Sequence, residues 1–98
     1  IEVGPLHINV PSREAILQGE ALTLTTTEFD LLVVLARRAG RVQKRETLVE
    51  DLRGIGFDSF DRSVDVLVSR LRRKLGKSGS MIKTVRGMGY LFSPEETN

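Results

Sequence analysis

The residues best suited to chemistry in this 98-residue chain are cationic, and they concentrate in its last third. Residues 62–92 contain eight lysines and arginines and one acid, Asp65, which gives a net charge of +7. Residues 1–61 contain seven cationic and ten acidic side chains, so the whole-chain charge of +2 hides this asymmetry. A cationic surface beside a mildly acidic body is typical of proteins that bind nucleic acids. Charge alone leaves open the alternative of a solvated face without a partner.

Other kinds of site find little support in the composition. The absence of cysteine excludes a disulfide scaffold, a thiolate zinc site and a cysteine nucleophile. The single histidine, His7, is too little for a triad or a multi-histidine metal site, and we expect it in a sheet or at the surface. Gly87-Met88-Gly89 lacks the third glycine of a dinucleotide fingerprint and does not open a helix. We therefore expect no enzymatic activity, no cofactor and no metal.

Length and apolar content predict one domain over residues 1–98. A chain of 98 residues with 40% apolar side chains can bury a modest core, and its net charge is too low for disorder. No apolar run approaches the roughly 20 residues that cross a bilayer, and no signal peptide opens the chain. We predict a cytoplasmic protein without a membrane partner. Because the chain begins at Ile1 rather than methionine, we expect a fragment of a longer protein.

Short strands and then three helices must position the cationic residues. Four apolar or alternating segments, broken by glycine and proline, predict a small antiparallel sheet over 1–3, 6–10, 14–17 and 21–24. Thr25 and Glu28 have the spacing of a capping box and open a helix over about 26–39, which Gly40 ends. Val42 and Gln43 form a short extended piece, and a second helix follows over Arg45 to Leu52.

The third predicted helix carries the basic face. Asp61 is a suitable N-cap for a helix over Arg62 to Leu75, which Gly76 stops. Its core stripe is Val64, Val68, Leu71 and Leu75, and on or near its opposite face lie Arg62, Val66, Ser69, Arg70 and Arg73. Asp65 is expected to orient an arginine or to favour the helix dipole. For Arg73 and Lys74, nucleic-acid contact and simple solvation both remain open.

A hairpin with a basic tip closes the chain. Residues 76–80 are expected to be flexible, and strands over 81–85 and 90–92 are joined by Arg86-Gly87-Met88-Gly89. A helix about 10–12 Å wide fits the major groove of B-DNA, and an arginine at the hairpin tip can reach the neighbouring minor groove. The predicted fold is therefore α+β, a winged helix-turn-helix with an N-terminal antiparallel sheet, three helices and a C-terminal β-hairpin wing.

Several segments in order resemble the effector domain of OmpR/PhoB-type response regulators, and residues 52–58 and 60–65 are most similar to its RstA/CpxR-like branch. The similar segments span nearly the whole chain and are 24–32, 40–42, 45–48, 61–66, 69–75 and 82–92. The resemblance implies a transcription regulator that binds promoter DNA with its recognition helix, 62–75, in the major groove and its wing, 82–92, at the minor groove. It implies no catalytic residue and no cofactor.

The resemblance also implies roles for single residues. Arg62, Ser63 and Arg72 match positions that contact the DNA backbone, and Val66 and Arg70 match positions that face the bases. Thr84 and Arg86 match wing positions that touch phosphate and the minor groove. The matching candidates for contact with RNA polymerase, in the loop over 53–60, are Arg53, Ile55, Phe57 and Asp58. Phe57 and Phe60 have two readings, as core anchors or as an exposed partner patch.

Partners and departures follow from the same resemblance. In the full-length protein it implies an upstream receiver domain, absent from this chain, a cognate sensor kinase, and a head-to-tail dimer on direct-repeat half-sites. Lys44 stands where the family often has a capping serine, so we expect the cap of the second helix to be weaker or to be supplied by another group. Leu67 stands where some members have a polar DNA-facing residue, and we expect it to be partly buried.

Two rival functions remain to be weighed. Winged helices also bind proteins, so the first rival is a pure protein-interaction module. Such a module would show no salt-dependent affinity for DNA. An RNA-binding function has little support, because the chain has five aromatic residues and none forms a stacking platform.

Overall fold

Two antiparallel sheets and three α-helices make up the computed structural model, which describes residues 1–54 and 64–94. The N-terminal sheet contains, in chain order, β1 (Glu2–Val3), β2 (Leu6–Asn9), β3 (Glu14–Leu17) and β4 (Glu20–Ala21). The later elements are α1 (Thr26–Arg37), β5 (Val42–Lys44), α2 (Arg45–Arg53), α3 (Val64–Leu75), a 3-10 helix (Gly76–Met81), β6 (Ile82–Val85) and β7 (Gly89–Phe92). The predicted α+β winged-helix architecture is confirmed.

The N-terminal sheet contributes one face to the core. Leu6 and Ile8 of β2 are buried, whereas His7 between them is exposed and lies 3.1 Å from the carboxylate of Glu2 on β1. This alternation is what a strand with one solvated face produces. His7 therefore lies in a sheet and at the surface, as expected.

Helix α1 begins with the predicted capping box. The Glu28 N–H donates to the Thr25 hydroxyl at 3.1 Å, and the Thr25 N–H donates to the Glu28 carboxylate at 2.9 Å. The helix ends at Arg37, two residues before the predicted end, because the chain tightens into a turn before Gly40 takes a φ of +88°. The N–H of Gly40 then donates to the carbonyl of Phe92 at 2.8 Å, which joins this turn to β7.

The hairpin is part of a three-stranded sheet. The strand order is β5-β7-β6, so the short extended piece after α1 pairs with the second hairpin strand. The backbones of β5 and β7 approach each other closely at Gly89, where a Cβ would lie 2.0 Å from the Gln43 carbonyl oxygen. Gln43 is buried, and its side-chain amide donates to the Leu35 carbonyl of α1 at 3.4 Å. The sheet is thereby attached to α1.

The stretch after α3 is helical, whereas we expected it to be flexible. Residues Gly76–Met81 form a 3-10 helix. Gly76, with a φ of +62°, ends the α-helix, and Gly79 packs against the backbone of Arg72, where a Cβ would lie 2.6 Å from the carbonyl oxygen. Met81, predicted to start a strand, ends this helix instead and is only 1% exposed. Burial of its side chain explains why the stretch is ordered.

Helix α3 ends at Leu75, as predicted, whereas its predicted start at Arg62 and its predicted N-cap Asp61 lie outside the described residues. The predicted core stripe of α3 is buried, and Leu67 is buried with it. Helix α2 extends one residue further than predicted, to Arg53. Lys44 makes no side-chain hydrogen bond to the first turn of α2, so the expected weak cap is confirmed.

Glu28 links the start of α1 to the end of α3. The ammonium of Lys74 donates to the Glu28 carboxylate at 3.0 Å and to the Thr23 carbonyl at 2.9 Å. Burial by itself raises the pKa of Glu28, but the hydrogen bond from the Thr25 N–H and the neighbouring Lys74 ammonium bring that pKa below its ordinary value. The carboxylate therefore stabilises the fold in its charged form.

We predict that Glu28→Gln lowers the free energy of unfolding at pH 7 by about 1 kcal/mol, because glutamine keeps the capping box but loses the charge pair. The folded pKa of Glu28 lies below the unfolded value of about 4.3. Its stabilisation is therefore present above that pH and is lost as the pH falls through the folded pKa. Urea unfolding at pH 7 and pH 3 should show that the free energy of unfolding falls less between these pH values in the variant than in the unmodified domain. An equal loss in both proteins would contradict this role.

We predict that Gly89→Ala destabilises the domain by about 3 kcal/mol or more, because the new methyl group overlaps the Gln43 carbonyl and must push β5 and β7 apart. Gly87→Ala is the matched control. Gly87 has a φ of +76° but open space around its Cβ position, so only backbone strain of about 1–2 kcal/mol is expected. Thermal unfolding followed by circular dichroism compares the two, and equal effects would exclude the close approach as the cause.

Candidate nucleic-acid interface

The outer face of α3 is polar and cationic. Its inner face is buried through Val64, Leu67, Val68, Leu71 and Leu75. The opposite face exposes Ser69, Arg70 and Arg73 around Val66, which is itself 39% exposed. These four residues follow one another at the three- and four-residue spacing that lines one side of a helix. The predicted contacts Val66 and Arg70 therefore share one surface, whereas Arg62 and Ser63 lie outside the described residues.

A hydrogen-bonded cluster of Arg45, Asp65 and Tyr90, here called the Asp65 cluster, joins α2, α3 and β7. The Asp65 carboxylate accepts hydrogen bonds from the Tyr90 hydroxyl and from Arg45 Nε, the latter at 2.9 Å. The guanidinium of Arg45 also lies 5.2 Å from the centre of the Tyr90 ring, within cation–π range. Asp65 therefore orients an arginine, which is one of the two roles expected for it.

The protonation states of the Asp65 cluster reinforce one another. The hydrogen bond from Tyr90, followed by that from Arg45, lowers the pKa of Asp65. Burial raises the pKa of Tyr90, and the hydrogen bond to the Asp65 carboxylate raises it further. At neutral pH the carboxylate is charged and the phenol keeps its proton, so the bond between them is a charge-assisted one.

Arg72 attaches α3 directly to the hairpin. Its Nε and Nη2 atoms donate to the Ile82 carbonyl at 3.0 and 2.8 Å, and Nη2 also donates to the Thr84 hydroxyl at 2.7 Å. The same guanidinium lies 5.7 Å from the centre of the Tyr90 ring. The two predicted contacts Arg72 and Thr84 are thus bonded to each other, and they join α3 to β6.

The tip of the hairpin projects beyond its strands. Residues 86–88 form the turn, in which the Met88 N–H donates to the Val85 carbonyl at 3.0 Å. Arg86 is exposed, and Met88 is 50% exposed beside it. The predicted wing arginine is therefore an exposed cation at the hairpin tip.

The cations after residue 62 do not all belong to this surface. Lys74 is bonded to Glu28 and Thr23 at the N-terminal sheet side of the fold, whereas Arg73 lies on the outer face with Arg70. Simple solvation is therefore wrong for Lys74, which is bonded within the fold, whereas Arg73 is an exposed cation.

The predicted polymerase-contact loop is only partly described. Arg53 is the exposed last residue of α2, whereas Ile55, Phe57 and Asp58 lie outside the described residues, as does Phe60. The sequence pattern also missed Arg45 and Tyr90, whose bonding partner Asp65 is 20 and 25 residues away along the chain. Helical and strand periodicity carry no signal for such pairs.

Within residues 1–54 and 64–94, no three histidine, cysteine, aspartate or glutamate side chains form a group suited to a metal ion. No helix in that part of the chain is long and apolar enough to cross a membrane.

Comparison with solved structures finds the same fold in proteins that are similar in sequence. The DNA-binding domain of RstA from Klebsiella pneumoniae, in complex with the RstA box, superimposes with a TM-score of 0.82 and is 46% identical, with 97% of each chain covered. The DNA-binding domain of CpxR from Escherichia coli gives a TM-score of 0.78 and 43% identity, with 95% of this chain and 94% of that chain covered.

Comparison with curated protein sequences points to the same family as the solved structures. The chain is 43% identical to the transcriptional regulatory protein RstA of Escherichia coli over 97 residues, which are 96% of this chain and 41% of that protein. It therefore spans about two-fifths of that relative's length. Residues 19–92 match the family model described as transcriptional regulatory protein, C terminal. The resemblance seen in the sequence is confirmed, and the chain belongs to this family of C-terminal domains of OmpR/PhoB-type transcriptional regulatory proteins.

Proposed function

We propose that this domain binds double-stranded DNA in a sequence-specific manner and controls transcription as the effector domain of a two-component response regulator. The observation that carries the proposal is the joining of α3 and the hairpin, through Arg72 and the Asp65 cluster, into one cationic surface. The similarity to an RstA domain in complex with its DNA box supports the same function.

The surface matches the dimensions of duplex DNA. A helix about 10–12 Å wide enters a major groove of roughly 12 Å, so the outer face of α3 meets base edges. In this arrangement Val66 contacts a thymine methyl group, and Arg70 donates to a guanine or a phosphate. Thr84 and Arg86 contact phosphate and the minor groove. Arg62 and Ser63 are proposed as phosphate contacts from the family resemblance alone.

Partners of the full-length protein are part of the proposal. We propose an upstream receiver domain controlled by a sensor kinase, head-to-tail pairing of two effector domains on direct repeats, and contact with RNA polymerase through Arg53, Ile55, Phe57 and Asp58. The relatives' greater length leaves room for such a domain. Pairing on adjacent half-sites raises the affinity of a weakly binding module through effective concentration. We also propose a cytoplasmic location, because that is where a bacterial promoter lies.

Fluorescence anisotropy of the domain with a random duplex and with a duplex pool enriched by selection tests this function. We expect tighter binding to the enriched pool and a steep loss of affinity as salt rises, because phosphate contacts release counterions. Absence of binding to either duplex at low salt would contradict DNA recognition and favour a module that binds proteins only.

We predict that Arg70→Ala weakens binding to the selected duplex by about 1–3 kcal/mol and reduces the preference over random DNA, because a base contact is lost. Arg37→Ala is the control, since Arg37 is an exposed cation on α1. Titrations of both variants against both duplexes provide the comparison. An equal loss on random and selected DNA would remove the base-reading role from Arg70.

We predict that Arg86→Ala weakens binding to both duplexes and makes the affinity less sensitive to salt, because the wing loses its tip cation. The slope of log affinity against log salt concentration measures this effect. Unchanged affinity and slope would exclude the wing tip from the interface.

A further inference from the structure

Two neighbouring arginines at the end of α3 have opposite surroundings. Arg72 is half-buried, and its guanidinium is directed to the hairpin by three hydrogen bonds to Ile82 and Thr84. Arg73 is exposed, and within residues 1–54 and 64–94 it has no ion-pair partner. The two adjacent arginines therefore differ in burial and in bonding partners.

The position of Arg73 aligns it with the proposed base contacts. It follows Arg70 by three residues and Val66 by seven, so all three occupy one side of α3. Seven residues of helix advance about 10 Å, which is close to the major-groove width of roughly 12 Å. When the helix axis runs across the groove and Val66 faces the bases, Arg73 lies near the groove rim, where phosphates run.

The charges around Arg73 point to a polyanion rather than to a role in folding. Arg70 and Arg73 lie one helical turn apart and repel each other in the free domain. Asp65, the one acid within residues 62–92, is bonded to Arg45 and Tyr90 instead of to either of them. A ligand that supplies negative charge relieves this repulsion.

We propose that Arg72 is a positioning residue, which holds the hairpin so that its tip reaches DNA, and that Arg73 makes the phosphate contact at this end of α3. The inference rests on the proposed function. It differs from the family resemblance, which places a backbone contact at Arg72. The fork of Arg72 donates twice to one carbonyl and once to a hydroxyl, which is a geometry that a single ammonium cannot reproduce.

The test uses three substitutions, Arg72→Met, Arg73→Met and the control Arg37→Met. Each is made both in the unmodified domain and in the Arg86→Ala variant. Methionine keeps an apolar stem and removes the charge. Affinity for the selected and random duplexes is measured by fluorescence anisotropy at several salt concentrations, and circular dichroism melting checks the fold of each variant.

We expect Arg73→Met to weaken binding to both duplexes by the same factor, to lower the salt slope by about 0.9, and to add to Arg86→Ala. Its melting temperature should not fall. We expect Arg72→Met to weaken the unmodified domain and to cost less once Arg86 is absent, because its effect acts through the wing. Arg37→Met should change affinity less than twofold.

Arg72→Lys keeps the charge and separates the alternatives if Arg72→Met does not fold. A phosphate contact is largely restored by lysine, whereas a positioning fork is not. An unchanged salt slope in Arg73→Met would overturn the assignment of Arg73. Additive losses from Arg72→Met and Arg86→Ala, or rescue by Arg72→Lys, would overturn the assignment of Arg72. Failure of the unmodified domain to bind either duplex would instead overturn the proposed function itself.

Discussion

The attachment of α3 to the hairpin is the interaction on which the proposed surface depends. Arg72 bonds to β6, and Asp65 bonds to Tyr90 of β7. Asp65 and Arg72 lie two turns apart on one face of α3, and together they attach both strands of the hairpin to the helix. Arg45 brings the start of α2 to the same point. Because polar networks of this kind are directional, they fix an orientation that apolar packing alone would leave free to slide.

The cationic segment is divided among several tasks. Lys74 pairs with the buried Glu28 and joins α3 to the start of α1, whereas Arg72 bonds to the hairpin. Arg70, Arg73 and Arg86 remain exposed, and they are the cations that we propose contact DNA. The net charge of the segment therefore overstates the number of cations free for DNA. A sequence profile of charge cannot separate these tasks, because each is set by what the folded chain brings opposite the side chain.

Local patterns predicted the parts of the fold that depend on local interactions. The capping box of Thr25 and Glu28, the buried stripe of α3 and the weak cap at Lys44 all follow from neighbours within one or two turns. The Asp65 cluster, the bonds of Arg72 and the pairing of β5 with β7 join residues distant in sequence, and periodicity carries no signal for them. The 3-10 helix was missed because glycine and serine indicate a loop, whereas burial of Gly79 and Met81 orders it.

In the proposed function, α3 and the hairpin form one surface that is already assembled in the free domain. Residual dipolar couplings of backbone amides in α3 and in β6 and β7, measured with and without a selected duplex, test it most directly. We expect the relative orientation of helix and hairpin to be the same in the free and bound domain, with one alignment tensor fitting both elements. A hairpin that averages independently of α3 in the free domain, and takes a fixed orientation only on DNA, would contradict it.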